Sequence, residues 1–143
     1  MSEHKRVVIV PCSGIGKPLG SVAREAAYEL CEELRPESTD LVALSKLVLG
    51  EPAAQARVQR SRAITLDGCK LYCAAKLVKH SGGEIAHQVG VFDIYRKHKH
   101  LRPEGIAELN DAGQELARVV AGEIAALVDD IGRDGTASGG CHA

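Results

Sequence analysis

A chain of 143 residues with 45% hydrophobic content can close one hydrophobic core, and at 3% aromatics with no Trp that core must rest on Val, Leu, Ile and Ala. Basic and acidic residues nearly balance, 18 against 19, for a net charge of −1. This excludes a broad positive field for nucleic acid or an anionic membrane, and the scarcity of aromatics removes stacking platforms for bases.

The apolar stretch at residues 7–10 is too short for a signal segment or a membrane span. The sequence therefore predicts a cytosolic protein. In a reducing compartment its five cysteines serve metal binding, redox chemistry or burial rather than disulfide bridging.

In chain order, Val7-Val8-Ile9-Val10 reads as a strand buried on both faces, ended by Pro11. A turn with Gly14 and Gly16 leads to Pro18, and a helix is predicted over residues 19–34. Its apolar stripe is Val22, Ala23, Ala26, Ala27, Leu30, Cys31 and Leu34, with Pro36 as the stop. A second strand is predicted over 40–44. Residues 45–49 fit either its continuation or a short helix, and 51–60 reads as helical.

Residues 63–66 form the third strand. Asp67-Gly68 is the next turn, and a helix over 70–80 ends at Ser81-Gly82-Gly83. Residues 84–95 alternate: Ile85, His87, Val89 and Val91 point one way, Ala86, Gln88, Phe92 and Ile94 the other, which predicts a strand. Residues 103–109 suggest one helical turn. Asp111 with Gln114 resembles a capping box opening a last helix, whose stripe is Leu116, Val120, Ile124, Leu127 and Ile131. Residues 132–143, rich in Gly and Ser, are expected to be a flexible tail following a domain over 1–131.

Alternating strands and helices predict a single three-layer α/β domain: a mainly parallel four-stranded sheet, order 2-1-3-4, with helices on both faces, Rossmann-like. In such sheets ligands bind at the carboxyl ends of strands, where the order switches direction. Cys12 follows strand one and Cys69 follows strand three. Topology thus predicts that two distant turns meet there.

Cys69 and Cys73, four apart on the predicted helix, share a face, and Cys12 approaches from the neighbouring turn. Three soft donors at one point suit zinc or another thiophilic ion. Asp67 is expected to cap the helix rather than to bind metal. Cys31 falls on an apolar stripe and reads as packing. Cys141 and His142 are remote extra donors in the tail. His87 reads as a core or edge residue, and His98 and His100 as solvated.

The Pro11-Cys12-Ser13-Gly14-Ile15-Gly16-Lys17 turn is also an anion-binding candidate. Gly14 and Gly16 let backbone N–H groups turn inward beside Ser13, and Lys17 adds charge. A plain tight turn explains the glycines equally well.

The stretches Pro-Cys-Ser-Gly-Ile-Gly-Lys (11–17), Ser-Val-Ala-Arg-Glu-Ala-Ala-Tyr (21–28), Asp-Gly-Cys (67–69) with Cys73, and Pro-Glu-Gly-Ile-Ala-Glu-Leu-Asn (103–110) together resemble the DGC-domain family. The resemblance implies zinc binding through cysteines, here Cys12, Cys69 and Cys73. The family's fourth cysteine falls near Ala43, where this chain reads Leu41-Val42-Ala43-Leu44. The implied site therefore has three thiolates, completed by Asp67, water or the tail, or else binding is weakened.

The leading expectation is a small zinc-binding protein. The alternative is a thiol-dependent redox or sulfur-transfer enzyme, with Cys12 as nucleophile and Cys69 or Cys73 as resolving thiol. The partner expected is a metal ion, with neither nucleic acid nor membrane. The last helix's stripe is expected to cover its own sheet, a second copy in a homodimer being the other way to bury it.

Overall fold

A computed structural model of the chain describes residues 6–12 and 17–141, with side chains through 133. Four strands form one sheet in the order β2-β1-β3-β4, all neighbours parallel. They are β1 (Val7–Pro11), β2 (Thr39–Leu41), β3 (Arg62–Asp67) and β4 (Glu84–Gly90). The helices are α1 (Pro18–Glu29), α2 (Leu44–Val48), α3 (Pro52–Arg60), α4 (Cys73–His80), α5 (Val91–Arg96) and α6 (Asp111–Cys141). The predicted fold and strand order are those observed. Among the described residues no helix is long and apolar enough to cross a membrane.

Alternation along the central strands splits the core in two. Val7, Ile9, Ile64 and Leu66 face α1 and α6, while Val8, Val10 and Ala63 face α2, α3 and α4. β1 is buried at every position, as four consecutive β-branched residues require. Helix α6 lays Leu116, Val120, Ile124 and Ile131 into the first layer, with Leu127 partly buried beside them. The stripe thus covers its own sheet.

Several boundaries differ from the expectation, each for a local reason. The first helix loosens into a π turn at Leu30–Leu34, closed by the Arg35 N–H bonding to Leu30 O at 2.8 Å. Of the two alternatives for residues 45–49 the helical one is observed, as α2 over Leu44–Val48. The predicted strand over 84–95 ends at Gly90, where a side chain would lie 2.9 Å from the Phe92 ring. Beyond it, Val91 and Ile94 are buried at helical spacing on α5.

A bulge in β4 pairs Ala63 with Ile85 but Ile64 with His87. Ile85 therefore packs in the second layer, while Ala86 and Val89 pack in the first. An uninterrupted alternation would have put Ile85 and Val89 on the same side.

Residues 103–109 form a loop rather than a helical turn. The cap of α6 is Asn110, not Asp111: its Oδ1 accepts the N–H of Gly113 at 2.8 Å. Gln114 instead donates from Nε2 to Leu109 O at 3.0 Å. Helix α6 runs to Cys141, through the stretch expected to be a tail.

Arg35, just past the π turn, holds α6 with a two-pronged bond to Asp129, at 2.8 and 2.7 Å. The guanidinium draws the Asp129 carboxyl below its ordinary pKa. Its stabilisation is therefore complete above the ordinary carboxylate range and is lost as pH falls through the lowered value. Because both groups are partly exposed, Asp129→Asn should cost no more than about 1 kcal/mol at neutral pH. Urea unfolding from pH 7 to pH 2 should show that cost vanish in acid.

Candidate functional site

β1 and β3 end side by side, with Pro11 opposite Leu66 and the Cys12 N–H bonded to Leu66 O at 2.8 Å. This brings Cys12 onto the Asp67-Gly68-Cys69 turn. Its Sγ accepts the Gly68 N–H at 3.3 Å. The sulfur is half-buried, between the two core layers at the mouth of the sheet.

Each residue of that turn has a separate task. Asp67 is 1% exposed, and its carboxylate accepts the N–H groups of Ala74 (2.8 Å) and Ala75 (3.3 Å). It caps α4 from outside the helix, satisfying two of the orphaned donors. Burial pushes its carboxyl above the ordinary range, outweighing the two amide bonds and nearby Lys76. With both oxygens engaged inward, Asp67 is not a free metal ligand.

Gly68 crosses the first turn of α1. A Cβ there would stand 2.6 Å from Gly20 N and 2.8 Å from Gly20 Cα, both backbone atoms that cannot swing aside. Cys69, half-buried, lines a cleft beyond.

Cys69 and Cys73 do not share a helix, contrary to expectation. Tyr72 adopts a left-handed conformation (φ 53°, ψ 47°), and α4 begins only at Cys73. Cys73 is exposed in the helix's first turn. Among the described residues, no three His, Cys, Asp or Glu side chains are placed to hold a metal ion. Cys12 is thus joined to the turn bearing Cys69, but the three thiols are not drawn into one cluster. Of the anion-loop candidates, Ser13, Gly14 and Gly16 lie outside the described residues. Lys17 is described and reaches the cleft. The Cys141 side chain and His142 also lie outside. Cys31 packs against the first core layer, and burial pushes its thiol up, as befits a packing residue.

The cleft, about 420 Å³, opens at the strand ends between α1, the 68–72 loop, α5 and the segment after it. Leu19, Phe92 and Tyr95 supply apolar wall, and Lys17, Lys70 and Arg102 supply charge. Phe92, the only Phe in the chain, organises one side. Tyr72 meets it edge-on at 5.9 Å, and Lys70 Nζ and Arg96 Cζ lie 6.0 and 5.8 Å from its centroid. Sequence reasoning missed Lys70, Phe92 and Arg102. Reading Phe92 as a strand residue hid the first grouping, and only the 97–110 loop's path reveals Arg102.

A family model described as DGC domain matches residues 8–121. The chain belongs to the DGC domain family. The match contains Cys12, the Asp-Gly-Cys turn, Cys73 and the 103–110 segment. No curated protein and no solved structure matches the chain. Within the matched span the Asp-Gly-Cys turn divides three roles: Asp67 caps α4, Gly68 permits the crossing and donates to sulfur, and Cys69 lines the cleft.

Gly68→Ala should destabilise the fold by about 1–3 kcal/mol, measured by denaturant unfolding, because backbone must move on both sides. Asp67→Asn tests the cap. An acid whose pKa is raised on folding contributes stability that is complete below the unfolded value and is lost as pH rises through the folded one. Relative to Asp67→Asn, the wild type should therefore gain stability as the pH is lowered through the acid range. Parallel curves for the two proteins would show that this carboxyl is not held in the buried cap.

Proposed function

We propose that this chain is a small zinc-binding protein, its metal held by cysteine thiolates at the carboxyl ends of β1 and β3. Cys12 and Cys69 form the core of the donor set, with Cys73 as the third thiol. The observation that carries the reading is the Cys12 sulfur seated on the Gly68 amide, one residue from Cys69. The thiolate is the form of cysteine that binds metal.

The donor chemistry fits zinc, which takes thiolate ligands readily. A fourth protein donor is absent from the obvious places. The stretch at Ala43 carries no cysteine, and Asp67 is committed to α4. Zinc with three protein ligands keeps a position for water or substrate and acts there as a Lewis acid.

A second reading is favoured by the lack, among the described residues, of a ready three-donor cluster. Thiol chemistry needs only a pair. Cys12 thiolate would attack a substrate disulfide, forming a mixed disulfide and expelling one thiolate. Cys69 or Cys73 would then attack Cys12 sulfur, releasing the second thiolate. The substrate gains two electrons and the protein is left with an internal disulfide.

Metal analysis of protein purified without chelator separates the two. Zinc is expected in the wild type, and its loss in the Cys12→Ser/Cys69→Ser variant. Undiminished zinc in that variant overturns the proposed site. A zinc-free wild type that forms a reversible disulfide from Cys12, mapped by peptide mass spectrometry, establishes the second reading instead.

A further inference from the structure

The segment after α5 is built with a care that a cysteine metal site does not call for. Asn110 Oδ1 accepts the Glu104 N–H at 3.0 Å as well as capping α6, and its Nδ2 donates to Arg102 O at 3.2 Å. The buried Ser21 hydroxyl, on α1, donates to Ile106 O at 2.5 Å. Gly105 has φ +98°, and a Cβ there would lie 2.0 Å from Glu108 O. Ser21, Gly105 and Asn110 thus fix the path of a loop whose first residues, Arg102 and Pro103, wall the cleft.

The cleft gathers Lys17 from the start of α1, Lys70 from the turn after β3 and Arg102 from this loop. Among the described residues no Asp or Glu lines it. Among the described residues, none of the three cations is paired with a carboxylate. The rest of the wall is chiefly apolar, with Leu19, Phe92 and Tyr95 supplying its larger surfaces. Small-molecule sites typically span roughly 300–1,000 Å³ with apolar walls and a few convergent polar groups. The cleft, at about 420 Å³, falls within that range.

We infer that the cleft binds a small organic dianion with an apolar body, a phosphate monoester or a dicarboxylate. The anionic head lies among Lys17, Lys70 and Arg102, and the body lies against Leu19, Phe92 and Tyr95. Three positive side chains without a counter-charge match two negative charges better than one. The guanidinium of Arg102 has the planar fork that grips phosphate or carboxylate through two parallel bonds. Binding does not require the thiols, so this inference stands apart from the metal reading. It does place Cys69 in the wall of the same cleft.

Calorimetric titration at low salt with phenyl phosphate, phthalate, inorganic phosphate and phenol tests this. At least one of the two organic dianions should bind about tenfold or more tightly than inorganic phosphate and phenol, and which of them does so identifies the head group. The Lys70→Gln/Arg102→Gln variant, altered only at exposed side chains, should weaken that binding about tenfold or more. Amide shifts on titration should centre on residues 68–70, Phe92 and Arg102. The inference is overturned if neither organic dianion exceeds inorganic phosphate, if the double variant binds as well as wild type, or if the shifts lie elsewhere. Repeating the titration with Cys12→Ser, a residue outside the cleft wall, separates the sites: dianion binding should persist even where that change lowers the zinc content.

Discussion

Where Gly68 crosses the first turn of α1, two stretches of backbone pass at a distance that admits no side chain on Gly68. Three consequences follow. The amide of Gly68 is left pointing at the Cys12 sulfur, the preceding carboxylate turns inward to α4, and the following cysteine turns outward to the cleft. A larger residue at position 68 would separate α1 from β3 and disturb all three. The crossing depends in turn on the sheet order. Only with β1 beside β3 does the end of one strand deliver sulfur to the turn after the other.

The fold was legible because its signals are redundant. Four β-branched residues in a row, strands alternating with helical stripes, and short connections all require the same layered sheet, and the order 2-1-3-4 puts Cys12 beside the Asp67-Gly68-Cys69 turn. Asp67 as a cap was legible too, since a carboxylate just before a helix has an obvious use. The helix start was not. Tyr72 takes a left-handed conformation without the glycine that usually marks one, so nothing local warns that Cys69 and Cys73 belong to different elements. The tertiary contact of its ring with Phe92 helps to hold that conformation, and no pattern of spacing announces such a contact.

The misreading of residues 84–95 has the same origin. A short helix whose buried residues are Val91 and Ile94 continues an apparent alternation for a few positions, because a spacing of three and a spacing of two coincide over so short a run. The bulge at Ala86 then shifts the facing of everything after Ile85. Both errors hid the cleft rather than the fold. Phe92, as a strand residue, would have been one apolar side chain among several. On α5 it becomes the surface on which Lys70, Arg96 and Tyr72 are arranged.

The 68–72 loop belongs to both candidate sites. Gly68 touches the Cys12 sulfur, Cys69 lines the cleft, and Lys70 and Tyr72 rest on Phe92. Its two ends are anchored, Asp67 by α4 and Tyr72 by α5, while its middle is not tied by any strand pairing. Cys69 and Lys70 are adjacent residues of that loop, and both line the cleft. Of the proposed thiol donors only Cys69, and of the cleft cations only Lys70, lie in this segment; Cys12, Cys73, Lys17 and Arg102 are carried by other segments, so each site keeps most of its groups when the other is altered.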